Sequence, residues 1–450
     1  MPRPIGIDLF AGAGGLSLGF EQAGFDVVAA VELDPIHCAV HRFNFPDCSV
    51  IAKSVSKLTG AEIRQRAGIG RRRIDAVFGG APCQGFSMIG HRALDDPRNR
   101  LVRDFVRLVA ELKASYFIFE NVKGLTIGRH RFFLEELIAA FESAGYRVRK
   151  PWAVLDAAEY GVPQHRERLI LMGARRGFPL PAYPAALCVP VDGGERSNGD
   201  PPLGPSCCDA LGDVPDAEGF EELLSRDEVL THVWGPTSHY AQEMRCQLKR
   251  AWHYGYIRRW NRDLLSSSLR TEHTAISRRR FAATEPGGVE PISRFYRLPA
   301  EGLSNTLRAG TDSSRGAFTS PRPIHYDKAR CITVREMARL HGFPDWFRFH
   351  ATKWHGARQV GNAVPPPLAR AVAAQLMRAM GAKPERPQRV LALDDPELLA
   401  MDMSQAAGYF GVAVPIGKRD RKSGATKRRQ HEIEAERQQE FEFAGIPVAV

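Results

Sequence analysis

Residues 1 to about 178 alternate short apolar runs with helical patterns, the rhythm of a parallel α/β sheet. Strands are predicted at 5–10, 27–32, 74–79, 116–120 and 168–173, and helices at 14–23, 35–44, 98–112 and 131–144. The first apolar run, IGIDLF, opens at residue 5, so the fold starts almost at once. The rhythm stops at 179–216, where PLPAYP and GGERSNGDPPLGP read as a boundary or a long loop. Residues 217 to about 310 have no clear period. Order returns at 331–349, where Thr333 and Glu336 have capping-box spacing ahead of MARLHGF. A further helix is predicted from Pro366 to Met380. Beyond about 382 weak apolar patches are followed by a charged stretch, Lys418–Arg429 and its continuation, which reads as DNA- or partner-touching or as a solvated or helical appendage.

A chain of 450 residues suits two domains plus a tail. Hydrophobic content of 44% and charged content of 25% are those of a soluble globular protein. No apolar run reaches membrane-spanning length and no signal-peptide pattern opens the chain, so a cytoplasmic location is expected. The net charge of +11 favours a polyanionic partner, nucleic acid first. The eight cysteines form no CxxC pair, which suits neither a zinc site nor a disulfide framework. No metal is expected.

Three segments carry candidate chemistry. DLFAGAGGLSLGF at 8–20 is a strand, a Gly-rich turn and a helix, in which Gly12, Gly14 and Gly15 permit a tight turn and close ligand approach. Glu32 closes the next strand about twenty residues on, where a carboxylate can accept from both hydroxyls of a ribose. A plain Gly-rich turn with an acidic surface residue is an equal reading of this segment alone. The spacing departs from the dinucleotide fingerprint, with Ser17 at its third glycine, so a nucleoside without pyrophosphate fits better, S-adenosyl-L-methionine among them. Phe10 packs either against such a ligand or in the core.

GGAPCQGFS at 79–87 puts Cys83 in a Gly/Pro-rich turn at a strand end, where ligands of open α/β sheets sit. FENV offers Glu120 at another strand end, and QHRERLI offers Gln164, Arg166 and Arg168 just before a strand. Each is separately explicable as a surface group. Together they supply a thiol, a carboxyl and guanidinium groups to one crevice.

These blocks, in this order, resemble the DNA cytosine-5 methyltransferase family of the prokaryotic modification type. The matching residues are Phe10-Gly12-Gly14, Pro82-Cys83-Gln84, Glu120-Asn121-Val122, Gln164-Arg166-Arg168 and Gly361-Asn362-Ala363-Val364-Pro365. VREMARLHGFPDWF at 334–347 resembles the block before the last. The resemblance covers about 1–178 and 305–380. It implies a Rossmann-like methyltransferase sheet with a second, smaller target recognition domain. The domains expected are 1–178 catalytic, 179–310 target recognition, 311–381 a return completing the catalytic domain, and 382–450 a tail of unknown role.

The resemblance also implies roles. Cys83 attacks C6 of a cytosine flipped out of the duplex, and Glu120, its pKa raised by burial, protonates N3. Arg168 holds O2; Arg166 is either a catalytic partner or structural. Phe10, Gly12, Gly14, Glu32, Leu33, Pro82 and Asn362 are expected around S-adenosyl-L-methionine, with Ser54 where many members carry an adenine-binding Asp. Gln84, Ser87, His91 and Arg98, from a segment resembling the family's mobile loop, are expected to touch double-stranded DNA, as are Arg258, Arg259 and Thr306. Residues 240–310 hold thirteen Lys/Arg against six Asp/Glu, with Trp252, Tyr254, Tyr256 and Trp260 among them, which suits a phosphate and base-edge surface. A monomer accompanied by a restriction or defence nuclease is the biological expectation.

The alternatives are a tRNA cytosine-5 methyltransferase, whose Cys-Phe-Thr signature is missing from the insert, and a catalytically silent DNA-binding relative. A cysteine hydrolase would need His91 or His165 as base for Cys83 and would leave the Gly-rich turn and Asn362 without a role.

Overall fold

The computed structural model describes residues 3–82, 99–128, 130–194, 197–310 and 322–414. Eight strands form one sheet: β1 (Ile5–Leu9), β2 (Asp26–Glu32), β3 (Ser49–Ala52), β4 (Ala76–Gly79), β5 (Tyr116–Val122), β6 (Tyr146–Val148), β7 (Ala153–Asp156) and β8 (Glu167–Arg175). Their order is β3-β2-β1-β4-β5-β8-β6, with β7 also paired to β8. β3 through β5 run parallel, whereas β8 is antiparallel to β5, β6 and β7. The expected parallel sheet is therefore mixed, since apolar periodicity carries no strand direction.

Five helices accompany the sheet: α1 (Gly15–Ala23), α2 (Pro35–Asn44), α3 (Gly60–Arg66), α4 (Arg100–Glu111) and α5 (His130–Ser143). Local chemistry fixes their starts. Asp34 caps α2 by accepting from the Ile36 N–H at 2.9 Å, with Pro35 at the first helical position. Thr59 and Glu62 close a capping box on α3. β1, β2, β4, β5 and α4 bury their apolar faces in one cluster with Phe105, Phe117 and Phe141.

The chain order then crosses the insert: α6 (Cys207–Leu211), β9 (Val229–Leu230), α7 (His239–Met244), β10 (Ile257–Arg259), β11 (Leu264–Leu265) and α8 (Ala275–Ala283). It returns through α9 (Val334–Leu340), α10 (Lys353–Asn362) and α11 (Pro366–Ala379), and ends in β12 (Val390–Ala392) and α12 (Met403–Tyr409). The capping box of Thr333 and Glu336 forms on α9 as spaced.

The insert has a small apolar cluster of its own around Ala217, Leu223 and Leu265, but it does not stand apart. Cys207, Tyr240, Met244 and Ala251 pack with α2 and with Trp346, Phe347 and Phe349 of the return in a single cluster. Buried ion pairs stitch this region. Arg339 is bound by Asp213 at 2.9 Å and Asp345 at 2.6 Å, and Arg330 by Glu336 at 2.8 Å. Residues 382–414 also belong to the packed body: β12 pairs in parallel with β10, and Leu398, Leu399, Ala406 and Ala407 are buried. Lys418–Arg429 lies outside the described residues.

Candidate active site

β1 and β4 are neighbours from which the chain departs in opposite directions, the place where open α/β sheets bind ligands. A cavity of about 520 Å³ opens there. Phe10, Gly12, Glu32, Leu33, Pro82 and Asn362 line it, together with Ser54. Phe10 has φ 65°, a left-handed conformation rare for a bulky residue, held by its N–H donating to Val31 O at 2.9 Å. The strain turns the chain sharply off β1 into the Gly-rich loop. Glu32 accepts from the Gly12, Leu33 and Asp34 N–H groups at 2.9, 2.7 and 2.9 Å. That locks the turn to the end of β2 and leaves the carboxylate a free lone pair at the cavity.

Gly14 departs from expectation. It does not line the cavity; a side chain there would meet the Phe45 ring, and its φ is 107°. Its role is to let the turn pack on α2. Ser54 sits at the cavity, with its hydroxyl accepting from Ser56 N–H at 3.3 Å.

Glu120 and Arg168 meet across the antiparallel β5–β8 pair, where Val122 faces Arg168. Arg168 Nε lies 2.8 Å from Glu120 Oε1, and both side chains are only 12% exposed. Burial pushes the Glu120 carboxyl above its ordinary pKa, against the opposing pull of the Arg168 and Arg166 guanidiniums. Glu120 also reaches the cavity. Gly80 is needed beside it, because a Cβ at residue 80 would collide with Glu120 Oε2. Asn121 holds the same turn by donating to Ala81 O at 2.9 Å, two residues before Cys83. Its place in ENV was visible; this positioning contact was not. Cys83, Gln84, Ser87, His91 and Arg98 lie outside the described residues.

Gln164 and Arg166 do different work from Arg168. Gln164 Oε1 accepts from Leu307 N–H at 2.9 Å, and its Nε2 donates to Leu340 O at 3.2 Å. Arg166 is buried and donates to Leu307 O at 2.9 Å and Gly361 O at 2.6 Å. Burial and the Arg168 charge push its pKa down to about 9. Arg166 is thus a staple joining the end of the insert to the GN(A)VP segment, and the catalytic assignment is corrected to a positioning one.

The expected DNA surface needs a larger correction. The Arg258 side chain is fully enclosed, paired with Glu21 at 2.8 Å and donating to Asn44 O, so it cannot reach a phosphate. Arg278 pairs with Glu218, Tyr256 donates to Asp26 at 2.9 Å, and Trp252 stacks on Trp346. Arg259 is exposed. Thr306 is exposed beside the site and donates to His165 O at 2.7 Å. His165 itself is held by Asp156 at 2.6 Å and Asp192 at 3.1 Å. Burial works against its proton, but the two carboxylates outweigh that and raise its pKa. Both ring nitrogens are occupied, so it is no free base for a thiol hydrolase.

The family model of the C-5 cytosine-specific DNA methylases matches residues 6–378. The chain belongs to that family. It is a DNA (cytosine-5-)-methyltransferase. It is 58% identical over 433 residues to the type II methyltransferase M.XorII of Xanthomonas oryzae pv. oryzae, covering 96% of this chain and 98% of that one. It is 33% identical to the type II methyltransferase M1.HphI of Haemophilus parahaemolyticus, covering 83% and 86%. Among solved structures, a prophage-encoded E. coli protein described as a DNA modification methyltransferase is 30% identical with a TM-score of 0.66, covering 84% of this chain and 99% of its own. Among the described residues no helix is long and apolar enough to cross a membrane.

Proposed function

We propose that this methyltransferase takes its methyl group from S-adenosyl-L-methionine and places it on C5 of a cytosine flipped out of a short specific duplex sequence. One observation carries the reading: Glu120, paired with the buried Arg168, lines the same cavity as the Gly-rich turn and as Pro82, the residue before Cys83.

The cavity suits an S-adenosyl ligand. Glu32 keeps a carboxylate lone pair for ribose hydroxyls, Ser54 offers a hydroxyl to an adenine edge, and Asn362 adds an amide from the return segment. The space where a Gly12 side chain would project is open, with nothing within 4 Å, which leaves room against the turn. Such a ligand supplies an electrophilic methyl on a sulfonium.

Carbon 5 of cytosine is a poor nucleophile until C6 is attacked. The Cys83 thiolate adds at C6, and the displaced ring electrons reach N3, where Glu120 delivers a proton. Burial raises the pKa of Glu120 above that of a free carboxyl, which favours the protonated form that can donate. Arg168 stabilises charge at O2. The enamine C5 then takes the methyl group; the C5 proton leaves to a base, and the returning electrons expel Cys83. Flipping costs a few kcal/mol and is what brings the base to the buried carboxyl. Arg259 and Thr306 are proposed contacts of the duplex. The enzyme acts as a cytoplasmic monomer and as the modification partner of a restriction or defence nuclease, in keeping with the type II relatives.

Bisulfite sequencing of plasmid from cells expressing wild type and Cys83→Ala tests this. Methylation at one short motif, lost in the variant, is expected. Methylation of tRNA without methylation of plasmid would overturn the substrate, and binding without methylation would indicate a silent relative.

A further inference from the structure

The family pattern ends at residue 378, yet the next three dozen residues are bound to the catalytic body along their whole course. Arg3 donates to Glu385 O at 3.0 Å, and Arg386 donates to His253 O at 2.8 Å. Arg389 pairs with Asp47 at 2.9 Å, β12 pairs with β10, and Arg42 grips Asp394 at 2.7 Å. Leu399 O then accepts from Ala351 N–H at 2.8 Å, and the His350 ring contacts Met401 O at 3.0 Å. Asp402 and Gln405 close a capping box on α12, which packs against α2 and buries Ala406 and Ala407. The route is a belt, and it delivers the first residue of α12, Met403, to the cofactor cavity beside Leu33, Asp34, His37 and Arg358.

We propose that this C-terminal belt is part of the cofactor site and that Met403 is a binding residue for the S-adenosyl ligand. The proposal rests on the cofactor reading above. Two observations separate Met403 from a chance surface methionine. The residues on either side of it are fixed, Met401 by His350 and Asp402 by the cap, so its backbone is held before any ligand arrives. Met403 is half-buried, and Leu33, which faces the same cavity, is 59% exposed. Leu33 and Met403 therefore present apolar surface at the cavity, where a bound ligand would cover it. A thioether is soft, polarisable and unbranched, so it adapts to a purine face or an aliphatic chain alike. The structural part of the belt belongs to Leu398, Leu399, Ala406 and Ala407; the ligand-facing part is Met403.

The test is the dissociation constant of S-adenosylhomocysteine, measured by titration calorimetry on the full-length chain, for wild type, Met403→Leu, Met403→Ser and Met403→Glu. Melting temperatures are taken without ligand. Met403→Leu keeps the apolar contact and should bind within about twofold of wild type. Met403→Ser loses it and should bind about five- to tenfold more weakly. Met403→Glu should bind more weakly still, with ligand-free melting temperatures unchanged in all three. Equal affinity across the series, with wild type binding normally, would overturn the proposal and leave the cofactor reading standing. Absence of binding by wild type would overturn both. A loss of affinity accompanied by an equal loss of ligand-free stability would assign Met403 to the belt's packing and also overturn the proposal.

Discussion

The sheet and the insert with its belt are held together by different means. In the sheet, backbone ladders and an apolar cluster supply most of the order, and Glu120 and Arg168 meet at strand ends. In the insert, strands are two or three residues long and buried guanidiniums do the joining: Arg339 to Asp213, Arg330 to Asp216, Arg258 to Glu21. The difference teaches where a charge means chemistry. At a strand end facing a cavity, a buried carboxyl is available to a substrate. Between docked segments, a buried arginine is spent on holding the segments in place, and is far costlier to remove than a surface one.

Five variants sharpen or break that contrast. Glu120→Gln should lower kcat by about 10²- to 10⁴-fold while the melting temperature moves little. A comparable loss of stability would place Glu120 among the structural charges. Arg258→Ala should do the reverse, costing about 3–5 kcal/mol in denaturant unfolding because Glu21 stays buried without its partner. The double change Arg258→Met with Glu21→Leu should recover most of that stability. Failure to recover would mean that the pair contributes more than its geometry shows.

A smaller effect concerns pH. Asp8 lies beneath the Gly-rich turn, accepting from the Ser17 hydroxyl at 2.7 Å. Burial holds its pKa up to about 8, against the Ser17 hydrogen bond. The folded chain therefore keeps a proton that the unfolded chain releases near pH 4. The stability this contributes is full below about pH 4, declines as pH rises, and is gone above about pH 8. Asp8→Asn removes the titration, so its melting temperature should fall less than that of wild type between pH 6 and 8. Parallel curves would contradict the assignment. Smallest of all, Arg259→Ala should weaken DNA binding modestly and reduce the slope of log K against log salt by about one. An unchanged slope would remove Arg259 from the DNA surface.

Legibility in the sequence followed the same division. α1, α2, α4 and α5 and the strands β1, β2, β4, β5 and β8 stand within a few residues of where apolar periodicity predicts them. β3, β6 and β7 were not predicted: they are as short as β4 or shorter, and unlike β4 they are not buried along their whole length, so no continuous apolar run marks them. α10, KWHGARQVGN, hides behind two glycines and polar residues on most of its surface. Order returns across 331–349 as expected, every residue being buried, but its helix is only seven residues long, since Gly342 and Pro344 follow its end. The cavity residues were readable as places because strand ends and Gly-rich turns have local signatures. The inward-facing arginines were not, because nothing local distinguishes Arg258, paired across more than two hundred residues with Glu21, from the exposed Arg259 beside it. The belt was invisible for a related reason: its anchors are backbone carbonyls and single distant charges rather than a repeated pattern.

The central claim is covalent attack by Cys83 on the target cytosine. A duplex carrying the motif found by bisulfite sequencing, with 5-fluorocytosine as the target base, tests it directly, because fluorine cannot leave C5 as the proton does. Incubation with S-adenosyl-L-methionine should give a complex that survives denaturation, maps to the Cys83 peptide by mass spectrometry and is missing for Cys83→Ala. No such complex from wild-type protein that methylates the ordinary duplex, or an adduct that persists in Cys83→Ala, would contradict the account.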